Sequence, residues 1–161
     1  MDVSIALAFL REFLVLIVVF GALLAYAIVR GRRALIALIL GLYVALLISL
    51  KFPYYDQIFS SAAGASTTML TILVFAVFTG IGTFLFERLL ADEYDDEPAL
   101  SGVAKKATVA LLGTVLVMAY SYHVLPVTAL LDPGASVGAL FAPEQYFFWF
   151  LIIPLVGLFF V

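Results

Sequence analysis

The sequence predicts an all-α, polytopic transmembrane helical bundle with four to five spanning helices and the N-terminus outside. Of its 161 residues, 66% are hydrophobic and 12% are charged, and the mean hydropathy is +1.23. Soluble domains carry about 25% charged residues, so this composition excludes a water-soluble surface. The apolar runs are continuous and do not alternate with polar residues, and lipid cannot hydrogen-bond the backbone, so helices are predicted rather than a barrel.

The first apolar run predicts a helix over about residues 3–29. Arg11 and Glu12 interrupt the run, and the uncharged part, 13–29, is 17 residues long, near the lower limit of about 17–25 for a span. We therefore expect both charged residues near the outer interface, where the arginine can reach lipid phosphates. A cleaved signal peptide is an alternative, but the basic residues follow this run instead of preceding it, which favours a retained helix.

The second helix is predicted over about 34–50, after the basic turn at 30–33. Small residues recur at every fourth position along it, which on a helix makes one continuous stripe. The stripe consists of Ala37, Gly41, Ala45 and Ser49. Such a stripe lets a neighbouring helix approach closely. Pro53 disfavours helical geometry just before it, so an outer loop is predicted over 51–67.

The third helix is predicted over about 68–86 and carries a second surface of small residues. Ala76 and Gly80 define this surface, with Thr79, Gly82 and Thr83 nearby. We expect the stripe on the second helix to face Ala76 and Gly80, because small residues are enriched where transmembrane helices pack.

The rest of the chain predicts a polar loop, a fourth helix and a shorter fifth segment. Residues 87–106 form the loop, whose acidic run lacks the spacing of a calcium-binding loop and is interpreted as a solvated linker. The fourth helix is predicted over about 107–125. Residues 126–145 are expected to lie on the interface as an outer loop. The last segment, 146–161, is short for a span, and Pro154 should kink it.

Orientation follows from the lysines and arginines in short loops. Six of the eight basic residues fall on one side, which the positive-inside rule assigns to the cytoplasm. They are Arg30, Arg32, Arg33, Arg88, Lys105 and Lys106. The two on the other side are Arg11 and Lys51. The count predicts a cytoplasmic 30–33 turn and 87–106 loop.

Few residues offer chemistry. There is no cysteine, and His123 is the single histidine, so a metal site is not expected and no cofactor is predicted. Ser121 and His123 suggest a hydrolase, but residues two apart on a helix point away from each other, which favours an interfacial belt of tyrosines and histidine. Arg11, Asp56 and His123 fall on the same predicted side and form a candidate interfacial polar cluster.

One resemblance concerns residues 26–45. A first helix closes on Arg30-Gly31, Arg33 follows, and the next helix carries Gly41 and Ala45. This layout resembles the N-terminal half of the colicin V production protein (CvpA-like) family of small bacterial inner-membrane proteins. The resemblance implies a multi-pass protein of the bacterial cytoplasmic membrane with a link to export or envelope homeostasis, and it implies no catalytic residues.

Three functions compete on these observations. The first is a non-enzymatic membrane scaffold or accessory subunit, since packing surfaces are extensive and no catalytic constellation is evident. Its expected partners are the lipid bilayer and either further copies or other membrane proteins, with no nucleic acid. The second is an oligomeric channel or transporter for a small solute, its path lined by Thr71, Thr79, Thr83 or Tyr43. The third is a membrane hydrolase that uses His123.

Overall fold

The computed structural model describes residues 3–54, 67–90, 99–125 and 135–160, with side chains at 13–54, 67–90, 102–125 and 136–160. Every regular element in these ranges is a helix, and none of them is a strand. The helices are α1 (Val3–Arg30), α2 (Arg32–Lys51), α3 (Thr67–Leu89), α4 (Ala99–His123), α5 (Ala135–Phe141) and α6 (Glu144–Phe160). The prediction of an all-α polytopic bundle is confirmed.

Four of the helices are long and apolar enough to cross a bilayer, which makes this a multi-pass membrane protein. The candidate spans are Phe13–Arg30, Arg32–Lys51, Thr67–Leu89 and Gly102–His123. The fifth apolar helix, α6, has 17 residues. At about 1.5 Å per residue it is shorter than a hydrocarbon core of about 30 Å.

The boundaries of the 87–106 loop differ from the prediction. Helix α3 continues to Leu89, and α4 begins at Ala99 rather than near 107. The added first turns of α4 contain alanine, leucine and lysine, all of which favour helix, and a helix does not have to end where its apolar run ends. The acidic run predicted to be a linker lies outside the described residues.

The segment 126–145, predicted as an interfacial loop, contains the short helix α5. Val137 and Phe141 are four residues apart, so they share one face of this helix, and both are buried against Met118 of α4. Residues 135–141 of this segment therefore pack against the bundle as a helix.

Helices α2 and α4 form the centre of the bundle. Helix α4 packs against α1, α2, α5 and α6, whereas α3 packs mainly against α2. The core between them includes Leu35, Ile39, Leu116 and Tyr120, all almost completely buried. The edge of the Phe75 ring on α3 meets Tyr120 with the ring centres 5.8 Å apart, so α3 also reaches the α4 side of the core.

Helix α6 is attached at the middle of its length. Pro154 is buried and has no N–H, so it cannot donate to the carbonyl four residues before it. The Tyr43 hydroxyl of α2 donates to the next carbonyl, that of Leu151. Gly157 lies against Leu112 of α4 so closely that a Cβ there would be 2.7 Å from a leucine methyl group. A polar contact and a close apolar contact thus hold α6 to the bundle.

Candidate functional site

The backbones of α2 and α3 touch at a pair of glycines. A Cβ built on Gly41 would lie 2.7 Å from both the backbone nitrogen and the Oγ1 of Thr83, and 3.0 Å from the Thr79 carbonyl. From the other side, a Cβ on Gly82 would lie 3.0 Å from the Gly41 Cα. Real Cβ atoms essentially never come closer than 3.0 Å to backbone, so there is no room for one at Gly41, and the space at Gly82 is tighter than almost any real Cβ contact. We call the side of α3 that meets α2 the inner face; it consists of Phe75, Thr79, Gly82 and Thr83.

The stripe on α2 lies largely inside the bundle. Ala37 and Ala45 are fully buried, Gly41 is buried and Ser49 is half-buried. It packs on the inner face of α3, where three of the small residues noted near Ala76 and Gly80 are found: Thr79, Gly82 and Thr83.

The prediction that the stripe faces Ala76 and Gly80 is wrong. Both residues are exposed, and nothing lies within 4 Å of a Cβ built on Gly80. At 3.6 residues per turn, Gly80 and Gly82 point about 200° apart, so one helix cannot cover both. The side with Gly82 offers a contact between two glycines and carries Phe75 into the core, which explains why α2 lies there.

The inner-face threonines satisfy their hydroxyls within α3. Thr79 Oγ1 donates to the Phe75 carbonyl at 2.9 Å, and Thr83 Oγ1 donates to the Thr79 carbonyl at 2.7 Å. A threonine bonded in this way satisfies its hydroxyl on its own helix and takes up little space, and the Thr83 Oγ1 is one of the atoms closest to Gly41. These residues therefore act in helix packing and do not present free donors to a solute.

The opposite side of α3 is the candidate functional site. We call it the outer face, and it consists of Leu73, Ala76, Val77, Gly80, Ile81 and Phe84, all exposed. Gly80 lies near its centre and makes a notch between larger side chains. A surface that combines a small residue with flanking apolar ones can receive another transmembrane helix, since association in lipid depends on close packing.

The basic residues predicted to set topology meet at one end of the bundle. Arg30 Nη2 lies 3.6 Å from Glu87 Oε1, and Arg33 donates to the Glu87 backbone carbonyl. The Arg88 guanidinium lies over the Phe84 ring, 5.6 Å from its centre. Arg32 occupies the same turn. Glu87 was not among the predicted site residues, although an acidic residue in the last turn of a helix on the arginine side is a usable signal.

Lys105 and Lys106 belong to the same end of the molecule. A Cβ on Gly113 of α4 would lie 3.2 Å from a Leu23 methyl group and 3.3 Å from an Ile39 methyl group. Leu23 is seven residues before Arg30, and Gly113 is seven residues after Lys106. Because equal numbers of helical residues span equal lengths, Lys106 is level with the basic turn.

The two residues of the hydrolase hypothesis bond to the backbone instead of to each other. Ser121 Oγ donates to the Val117 carbonyl at 2.9 Å, and His123 Nε2 donates to the Phe141 carbonyl at 2.7 Å. The His123 ring also packs on Phe147, with centres 4.6 Å apart. His123 thereby links α4 to α5 and α6.

The proposed polar cluster is only partly visible. Asp56 and the side chain of Arg11 lie outside the described residues. Among the residues that the structure describes, no three His, Asp or Glu side chains come together as a potential metal site.

Comparisons with known proteins assign no family. No family model matches the chain, and neither a curated protein nor a solved structure matches it. The resemblance to the CvpA-like family stays a prediction.

Proposed function

We propose that this protein is a non-enzymatic membrane scaffold or accessory subunit, and that it engages another transmembrane helix through the outer face of α3. The observation that supports this proposal is that α3 has two surfaces containing small residues and that α2 packs against only one of them. The partner helix comes from a second copy or from a different membrane protein.

The packing of α3 supports this role. In its membrane span 17% of the residues are buried inside the protein, compared with 44% in α2, 39% in α4 and 6% in α1, so α3 is one of two spans that are largely uncovered. Apolar side chains facing lipid are expected, but a glycine facing lipid gains nothing from that position and lowers helix propensity by about 1 kcal/mol relative to alanine. A close helix contact at Gly80 gives this residue a physical reason.

The alternative is an oligomeric channel or transporter. The candidates for its lining are Thr71, Thr79, Thr83 or Tyr43, and each of these hydroxyls donates to a backbone carbonyl within the protein. A conduction path needs polar groups that can exchange their partners with the solute, so this geometry favours the scaffold. Solute flux across reconstituted liposomes is the measurement that would reverse this preference.

The proposal includes the membrane in which the protein lies. The resemblance and the positive-inside count support placement in a bacterial cytoplasmic membrane, with the basic turn and the 87–106 loop inside. An envelope or export assembly is the context that the resemblance suggests for the partner.

Single-cysteine crosslinking in native membranes tests the proposal. The chain contains no cysteine, so Gly80→Cys introduces one thiol at the outer face. Leu85→Cys is the matched control, because Leu85 is also exposed on α3 but points about 140° away from Gly80. We expect a crosslinked dimer or a crosslink to a specific membrane protein from Gly80→Cys and little from Leu85→Cys.

Two results would contradict the proposal. Equal crosslinking at both positions would indicate random collision, and a strictly monomeric protein with no recoverable crosslink would remove the scaffold role.

A further inference from the structure

A cavity opens at the basic end of the bundle, where α1, α2 and α3 all have a terminus. It has a volume of about 380 Å³ and is lined by Val29, Arg30, Arg33, Ala34 and Glu87. The apolar span of α1 ends at this cavity, and the span of α2 begins there. A cavity between the end of one span and the start of the next lies at the depth of lipid headgroups in a bilayer.

The lining carries an excess of positive charge. Two guanidinium groups face one carboxylate, so the formal charge of the lining is +1. The 3.6 Å separation between Arg30 and Glu87 is longer than a charge-assisted hydrogen bond of about 2.7–2.9 Å. The Arg30 side chain is 59% exposed and retains donors in the planar arrangement that suits phosphate oxygens.

An apolar surface continues from the cavity along α1. Val29 lines the cavity and is 81% exposed, and Ile28 beside it is 58% exposed. A ligand with a phosphate at the cavity and a hydrocarbon chain along α1 would satisfy both surfaces, whereas free phosphate would use only the first.

We propose that this cavity binds the headgroup phosphate of an anionic glycerophospholipid, with Arg30 and Arg33 as the phosphate-binding residues and an acyl chain along Ile28 and Val29. The backbone carbonyl of Glu87 holds Arg33 in place, and the Glu87 carboxylate lowers the formal charge of the lining from +2 to +1. This inference is independent of the partner proposed for α3.

The test measures binding of a fluorescent phosphatidylglycerol to the purified full chain in phosphatidylcholine nanodiscs. We expect Arg30→Gln to weaken binding by about tenfold, as expected for loss of a hydrogen bond to a charged group. Glu87→Gln should strengthen binding several-fold, because it removes the one negative charge. Arg32→Gln removes the same charge from the same turn but not from the cavity lining, so it should change binding by less than about twofold.

Arg33→Gln is expected to act like Arg30→Gln, but it also removes the hydrogen bond to the Glu87 carbonyl. If Arg33→Gln fails to fold, Arg30→Gln decides the test, because Arg30 is half-exposed. A competition arm adds inorganic phosphate and, separately, unlabelled phosphatidylglycerol. Displacement by the lipid alone supports the proposal.

Three results would overturn it. Equal loss in Arg30→Gln and Arg32→Gln would mean that general surface charge binds the lipid. Weaker binding in Glu87→Gln would mean that the carboxylate supports the site only as structure, and displacement by inorganic phosphate as effective as that by lipid would make the ligand a soluble phosphate.

Discussion

Gly80 and Gly82 are two residues apart on one helix, and their surroundings differ completely. A Cβ on Gly82 would press on the backbone of Gly41 at 3.0 Å, whereas a Cβ on Gly80 would meet nothing within 4 Å. In both places the sequence shows a glycine among apolar residues in a membrane span. The inner glycine is needed for the fold of the protomer, and the outer one is available for contacts beyond it.

The difference shows what a small residue does in lipid. Either face of α3 would meet hydrocarbon if no helix covered it, so moving apolar area from lipid into the protein gives little net gain, and close van der Waals contact decides where helices pack. At the inner face α2 and α3 make this contact, and a side chain added there must push the two backbones apart. At the outer face the same substitution costs the protomer nothing, which makes the two faces separable by mutation.

The largest effect is expected for Gly41→Leu. Its Cβ would overlap the Thr83 backbone, which cannot rotate away, so α2 and α3 must separate. We expect a loss of about 3 kcal/mol or more in the free energy of unfolding, at the upper end for overpacking. Unfolding by SDS titration in mixed micelles measures it. The control is Gly21→Leu on α1, where nothing lies within 4 Å of the Cβ; equal losses in the two variants would disprove the glycine contact.

Gly82→Ala and Gly80→Ala form the matched pair that most directly tests the comparison. The added methyl group at position 82 is 3.0–3.2 Å from Gly41 atoms, so we expect a loss of about 1–2 kcal/mol. The same change at position 80 should be neutral or stabilising by up to about 1 kcal/mol, because alanine favours helix. Thermal unfolding in one detergent gives both values, and a destabilised Gly80→Ala would show that the protomer itself depends on the outer face.

Thr83→Val should have a smaller effect. The substitution keeps the shape against Gly41 but removes a hydroxyl that donates to the Thr79 carbonyl, and such bonds within a helix contribute about 1 kcal/mol or less. Thr108→Val is the control, since Thr108 makes the same kind of bond to Ala104 on an exposed part of α4. A loss of several kcal/mol for Thr83→Val alone would mean that its hydroxyl reaches across to α2.

The smallest effect on stability, close to zero, is expected for Gly80→Leu. The new side chain fills the notch of the outer face without touching the protomer. Association should respond instead, and we expect the crosslinked fraction from a cysteine at Ala76 to fall several-fold in this background. Unchanged association would mean that Gly80 does not take part in the contact with the partner helix.

Much of the fold was predictable from the sequence. Four long apolar runs were enough for an all-α polytopic bundle, because each span must satisfy its own backbone in lipid. The spacing of four residues between Ala37, Gly41 and Ala45 likewise indicated a packing stripe on α2. Both are properties of a single helix, and they can be read from the sequence because a helix is formed by consecutive residues.

The candidate site was less predictable. The sequence showed small residues on two sides of α3 but not which side α2 covers, and the choice of Ala76 and Gly80 was wrong. The helix at 135–141 and the bond from Tyr43 to the Leu151 carbonyl were also not foreseen. Both depend on residues distant in the chain, and α5 is too short for a periodic pattern to reveal it.

The sequence by itself determined that the chain forms membrane-spanning helices, where most of them lie, and that α2 and α3 carry small residues suited to close packing. Only the tertiary structure decided that Gly41 meets Gly82, that Gly80 stays open, and that Glu87 joins Arg30 and Arg33 around a cavity. The physical reason is that helix formation in lipid is set by local hydrogen bonding and hydropathy. The rotation of one helix against another is set by the shape of both surfaces together.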